Sequence, residues 1–199
     1  MTGDRNHMKL QKLSSIDALL IYQTHLPRDF HSNEIRPLNE VALLVESGLY
    51  YGYGLYEKDE LVGYAFACSV PNSPCVLLDF CAIRPIYRAN GYGTLLIQLL
   101  REAFLELNQE IVIEVESPSS AFTDVEQHLS QRRIAFYLRC GMVHTKVRTA
   151  LQGREYLVMH LPNELHLSDA QIQSELCHIY AAVFYEDVYG HRLLEPAGT

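Results

Sequence analysis

The sequence has 199 residues, a length that accommodates one α/β domain with a short appended segment. Its 48% hydrophobic and 20% charged residues describe a globular chain that buries a core, and no apolar stretch approaches the ~20 residues of a membrane span. The formal net charge of -8, with never more than two basic residues adjacent, argues against a nucleic-acid partner and is compatible with a cationic substrate.

The N-terminus, MTGDRNHMKL, carries no apolar segment of an export signal, so cytoplasmic residence and no membrane partner are expected. Helical spacing of Ile16, Leu19 and Leu20 behind Ser14 or Ser15 predicts a first helix. A polar break from His25 to Asn33 leads to a second helix, Pro37 to about Ser47, closed by Gly48. A hairpin follows: tyrosine-rich Tyr50 to Glu57, the turn Lys58-Asp59-Glu60, and apolar Leu61 to Val70. The tyrosines 50, 51, 53 and 56 are read as strand residues that pack, with a substrate pocket as the alternative.

After the turn Pro71-Asn72-Ser73-Pro74, Val76 to Ile83 reads as a strand buried on both faces. A loop from Arg84 to Gly93 feeds a helix from Gly93 to about Leu107, which Asn108 ends. Ile111 to Glu116 alternates as a strand, with Glu114 and Glu116 on one face. A helix ends at Cys140-Gly141, and the strands Met142 to Ala150 and Glu155 to Leu161 flank the turn Leu151-Gln152-Gly153-Arg154. In the tail, Ser168 and Gln171 form a capping box for a helix with an apolar stripe at Ile172, Leu176, Ile179 and Val183; Leu165, Leu167, Tyr180 and Phe184 add apolar surface. The predicted fold class is mixed α/β: a mostly antiparallel sheet with one parallel β-α-β crossover, plus a C-terminal helix.

The five cysteines form no C-x-x-C pair and four lie in apolar segments, so free, mostly buried thiols are expected. The nine histidines show no ligand spacing, and no metal is expected.

The segment carrying most chemistry is Phe80-Cys81-Ala82-Ile83-Arg84-Pro85-Ile86-Tyr87-Arg88-Ala89-Asn90-Gly91-Tyr92-Gly93-Thr94. A strand enters a glycine-containing loop and a helix follows at once. Free amides and the positive end of the helix dipole make such a place an anion site. It is not a P-loop, because Thr94-Leu95 follows Gly93 where Lys-Ser/Thr is required. Nor is it a dinucleotide fingerprint, because Leu96 stands at the third small position.

Arg88 to Gly93 resembles the pyrophosphate motif Arg/Gln-x-x-Gly-x-Gly/Ala of the GNAT superfamily of acyl-CoA N-acyltransferases. Phe136-Tyr137-Leu138-Arg139-Cys140-Gly141-Met142 resembles its FYxxxGF helix end, with Met142 in place of Phe. The resemblance covers roughly residues 1–161 as one domain. Residues 162–199 would be a helical extension packed on that domain or on a partner subunit, the chain being a monomer or homodimer.

The resemblance implies an enzyme that transfers the acetyl group of acetyl-CoA to a primary amine by direct attack in a ternary complex. Backbone groups of Cys81, Ala82 and Ile83 would pair with pantetheine, in a family whose parallel strands splay where the cofactor enters. The amides of Arg88, Ala89, Asn90, Gly91, Tyr92, Gly93 and Thr94 would hold the pyrophosphate, and Tyr137 would protonate the leaving thiolate. A thiolate of ordinary pKa, about 8.5, leaves more readily when a donor meets it. The alternative for Tyr137 is packing under the sheet.

The attacking amine must lose a proton, and Asp79 and Glu116 are the leading acceptors, with Glu114 beside them. A carboxylate near ~4 is a poor direct base for an ammonium near ~10, which favours a water relay held by the acids or electrostatic placement of the amine. The alternative is structural: Asp79 paired with Arg84 or another base, and the glutamates fixing Arg132 and Arg133. The rivals to a small-molecule enzyme are a protein N-acetyltransferase acting on Lys or an N-terminus, and an inactive CoA-binding regulator.

Overall fold

Met8–Lys12 (β1), which the sequence reading missed, is an edge strand formed by antiparallel pairing with residues 53–57, its Met8 and Leu10 half-buried. The computed structural model describes residues 7–32, 34–151 and 153–183, and the backbone of 192–194. Asn33, Gln152 and Phe184, which figure in the sequence reading, lie outside the described residues. The chain divides into two units, Met1–Cys68 with Asp79–Leu100, and Ser69–Leu78 with Arg101–Thr199.

In the first unit, Ser14 caps the helix Ser15–Asp29 (α1), its hydroxyl accepting from the Asp17 amide at 3.1 Å. The helix runs through Pro27, where the sequence suggested a break at His25. Proline removes one helical bond, yet Leu26 is fully buried in the last turn and burial outweighs propensity there. Leu38–Glu46 (α2) buries Val41 and Val45, and Gly48, at φ +75°, turns the chain out of it. Tyr50–Glu57 (β2) pairs with β1 and with Glu60–Cys68 (β3), all antiparallel. Tyr22, Tyr50, Phe66 and Phe80 form the aromatic core, with Tyr22 edge-on to Phe66 at 5.4 Å and Tyr50 stacked on Phe66 at 5.8 Å. Packing therefore accounts for Tyr50 and Tyr53, both buried.

The strand Cys75–Ile83 (β4) lies beside β3. Its second half, from Asp79, belongs to the first unit, as does the helix Tyr92–Leu105 (α3) as far as Leu100. Gly63 lets β3 approach the end of β4: a Cβ there would stand 2.9 Å from the Ala82 carbonyl oxygen and 2.5 Å from Ile83 Cδ1.

In the second unit, the first half of β4 pairs in parallel with Glu110–Glu116 (β5), from Cys75 opposite Glu110 to Leu77 opposite Val112. Arg154–Leu161 (β7) lies antiparallel between β5 and Val143–Leu151 (β6), and Arg192–Leu194 (β8), also unpredicted, pairs with β6. Asp124–Arg139 (α4) is capped by Thr123 and closed by Gly141 at φ +91°.

The capping box forms as read. The Ser168 amide donates to Gln171 Oε1 at 3.0 Å, and the Gln171 amide donates to Ser168 Oγ at 3.4 Å. It opens Asp169–Val183 (α5), whose Ile172, Leu176, Ile179, Tyr180 and Val183 are buried in this unit. Each fully buried aliphatic side chain stabilises that docking by about 1.5–3 kcal/mol. The five cysteines are free; two of them are buried, Cys81 and Cys140 are half-buried, and Cys177 is exposed.

Candidate active site

In the first unit, β4 delivers Asp79 into an apolar strand, where a carboxylate requires a partner. Its Oδ2 accepts from the Tyr50 hydroxyl at 2.7 Å and faces Arg36 Nη2 at 3.7 Å. The Arg36 side chain is 5% exposed and lies over the Tyr50 ring, 5.6 Å from its centroid. Burial works against the Arg36 charge, and Asp79 and Tyr50 more than offset it, so the guanidinium stays protonated above its ordinary range. Burial, and then the Asp79 carboxylate, push the Tyr50 phenol well above its own. The base that meets Asp79 is thus Arg36 and not Arg84, which donates to the Leu61 carbonyl at 2.6 Å and faces Glu60 at 3.9 Å.

Beyond Ile83 the chain makes one tight turn, Pro85–Tyr87, and then Ala89 and Gly91 take left-handed conformations, φ +66° and +79°. Glycine adopts that region freely, whereas alanine is strained in it by roughly 1–2 kcal/mol. Asn90 Nδ2 donates to the carbonyls of Tyr87 and Arg88, both at 3.2 Å. These reversals set Gly91 at the entry to α3, where the Leu95 amide bonds its carbonyl. The amides of Tyr92, Gly93 and Thr94 therefore open the helix with no carbonyl one turn back to receive them. They sit at its positive end, where Gly91 and Thr94 are exposed and Tyr92 and Gly93 half-buried, as an anion site requires.

Arg88 differs from the rest of the predicted pyrophosphate set. Its amide donates to the Pro85 carbonyl at 3.3 Å, and its side chain turns back on the protein. Nε donates to the Ile83 carbonyl at 2.8 Å and Nη2 to Asp29 Oδ1 at 2.5 Å. Of the strand residues expected along pantetheine, Cys81, Ala82 and Ile83 are all half-buried, and the Ile83 carbonyl already carries the Arg88 bond.

The second unit holds the remaining candidates. Tyr137 lies half-buried in the last turn of α4, its ring edge-on to Phe136 at 5.1 Å. Its carbonyl accepts from the amides of Cys140 and Met142, which binds the FYxxxGM segment into the helix end. Glu116 is ion-paired with Arg154, whose Nη2 reaches Glu126 Oε1 at 3.3 Å and whose guanidinium lies over the Phe122 ring. Arg132 and Arg133 are exposed on α4, so the partner of Glu116 is a strand arginine. Glu114 accepts from the hydroxyls of Thr149 and, at 2.7 Å, of Tyr180 on α5.

Sequence reasoning missed Arg36, Arg154 and Asp29. Only Asp29 left a signal: an acid in the last turn of a helix, the unfavourable end of its dipole.

One unit presents the start of α3 beyond the end of β4, and the other holds a half-buried tyrosine and strand carboxylates. The model of the Acetyltransferase (GNAT) family matches residues 17–142, more than half of the sequence. The chain belongs to the GNAT acetyltransferase family. Comparison with curated proteins gave no match.

Several solved structures share the fold of this GNAT chain. A GNAT-family protein from Bacteroides thetaiotaomicron is 21% identical over 89% of this chain and 98% of its own, with a TM-score of 0.68. The ribosomal-protein alanine N-acetyltransferase from Escherichia coli is 19% identical over 78% and 93%, with a TM-score of 0.56. A variant of spermidine N-acetyltransferase from Vibrio cholerae is 14% identical over 78% and 93%, with a TM-score of 0.55. Family membership makes this GNAT chain an acyl-CoA-dependent acetyltransferase, with acetyl-CoA as the donor. Among the described residues, no helix is long and apolar enough to cross a membrane.

Proposed function

We propose that the chain acetylates a primary amine by direct attack on acetyl-CoA in a ternary complex. The observation that carries this reading is the start of α3: after Gly91 at φ +79° the Tyr92, Gly93 and Thr94 amides begin the helix, at the positive end of its dipole, beyond the loop that follows β4. Those amides, with Ala89 and Asn90, hold the pyrophosphate, and the backbone of Cys81 and Ala82 guides the pantetheine arm. The Ile83 carbonyl serves the arm only as a second bond beside Arg88. Tyr137 gives its phenolic proton to the thiolate as the carbon–sulfur bond breaks.

The amine nitrogen attacks the thioester carbonyl and loses a proton to water. Asp79 and Glu116 serve as carboxylates that order this relay. Each already faces an arginine, Arg36 or Arg154, which favours holding water over direct abstraction from an ammonium. The acceptor is cationic before deprotonation, in keeping with a net charge of -8.

Purified protein with acetyl-CoA, screened against polyamines, aminoglycoside-like amines and peptides with free N-termini, tests the reading by release of free CoA thiol. Release that depends on an amine supports it. CoA binding with no amine-dependent release in any class overturns it in favour of a regulatory CoA-binding role.

A further inference from the structure

Asp29 has two features that are unfavourable in isolation: its carboxylate is 4% exposed, and it sits in the last turn of α1. Burial penalises the charge, and the helix's partial negative end repels it. Both oxygens are nevertheless engaged. Oδ2 accepts from the Tyr64 hydroxyl at 2.8 Å, and Oδ1 accepts from Arg88 Nη2. Burial and this hydrogen bond hold the Tyr64 phenol above its ordinary range, so it remains the donor.

Arg88 stands immediately before strained Ala89 and two residues before the turn at Asn90–Gly91. It is 54% exposed and could extend into solvent, yet it folds back to clasp Ile83 and Asp29. The clasp joins the last residue of β4 and the end of α1 to the first residue of the anion loop. Its charge is matched by Asp29, so Arg88 is not an uncommitted counter-ion for an incoming phosphate.

We propose that Asp29 is a positioning residue for the donor: it holds Arg88 as a brace that keeps the left-handed turn formed before acetyl-CoA arrives. The inference rests on the reading that this loop receives the CoA pyrophosphate. Loss of the clasp has one consequence in a variant of either residue, and removal of Arg88 adds a second in the same direction. Without the clasp, the turn relaxes away from φ +66° at Ala89, and the helix-start amides lose their aim. Without Arg88, the Asp29 carboxylate also stands beside the loop as an unmatched negative charge, which repels an anion.

The test exploits a donor that lacks the pyrophosphate. Acetyl-pantetheine carries the same thioester and arm but gives the loop nothing to bind. In Asp29→Asn, the ratio of kcat/KM for acetyl-CoA to that for acetyl-pantetheine should fall by about ten-fold, the scale of one charge-assisted hydrogen bond. A general loss of structure lowers both values and leaves the ratio unchanged; that result overturns the proposal. Should Asp29→Asn not fold, Arg88→Ala, at an exposed position, should weaken CoA binding in calorimetry by a similar factor. Unchanged CoA affinity in that variant overturns the brace. A wild type that fails to bind CoA overturns the pyrophosphate reading and this inference together. A wild type that binds CoA beside an Asp29→Asn that binds it equally overturns the inference alone.

Discussion

Replacing Asp79 with Asn keeps the side chain's shape and an acceptor for the Tyr50 hydroxyl, and removes the charge that Arg36 faces. Two unit charges 3.7 Å apart interact by about 4 kcal/mol at an effective dielectric of about 20. The Asp79 side chain is 17% exposed and the contact is longer than a hydrogen bond, so water replaces part of that energy. The variant should lose about 3 kcal/mol, the low end for breaking a buried pair. For a chain of this length that lowers Tm by about 6–12 °C, readable by scanning calorimetry. The triple variant Arg36→Met, Tyr50→Phe, Asp79→Leu, which removes all three polar groups together, should recover most of the loss. A Tm for Asp79→Asn within 2 °C of wild type, roughly the shift from half a kcal/mol, would refute the energetic argument. Turnover gives an independent reading. If Asp79 orders the proton relay, kcat/KM falls and the defect shrinks as pH rises toward the amine's own pKa, ~10. An equal defect at every pH would confine Asp79 to holding Arg36 and Tyr50.

Tyr137→Phe keeps the packing on Phe136 and deletes the proton donor, so kcat should fall by roughly 10²–10⁴ with the fold intact by circular dichroism. Gly91→Ala forces a Cβ into φ +79° and Gly93→Val crowds the helix start, so each should weaken CoA binding in calorimetry. Burial pushes the Cys75 thiol up to about 12, so at pH 8 exposed Cys177 should be alkylated first and Cys75 only on unfolding, as mass spectrometry can follow. A chain ending at Pro162 loses the buried face of α5 and the Tyr180–Glu114 bond; it should melt lower and expose apolar surface to a hydrophobic dye.

The parts of the fold that were legible are those set by neighbouring residues. Glycine at 141 with the helix before it, and Ser168 with Gln171 three residues on, announce a helix end and a helix start because each motif satisfies its own backbone groups locally. The strand, loop and helix around Arg88–Gly93 were legible from other local patterns: an apolar run, closely spaced glycines and leucines at helical spacing. β1 was not, since five residues with two lysines carry too little apolar alternation to stand out. The polar run through His25 concealed the end of α1, because the burial of Leu26 that extends the helix past Pro27 is a tertiary fact.

The site was legible in kind and not in its connections. Glycine spacing locates the turn at Gly91 but is silent on Ala89, a residue whose identity gives no sign of φ +66°. Asp79 stood out because it interrupts an apolar strand, and Glu116 because it ends the next one on the face it shares with Glu114; the demand for a counter-charge follows from placing a carboxylate there. Which arginines answer it depends on chain paths that no local pattern encodes. Arg132 and Arg133 are nearer to Glu116 in sequence, yet they lie on the exposed side of α4, and the antiparallel arrangement of β5 and β7 brings Arg154 instead. Asp29 follows the same logic from the other direction. A lone acid at the C-terminal end of a helix is locally unfavourable, and that local conflict was the only trace in the sequence of its bond to Arg88.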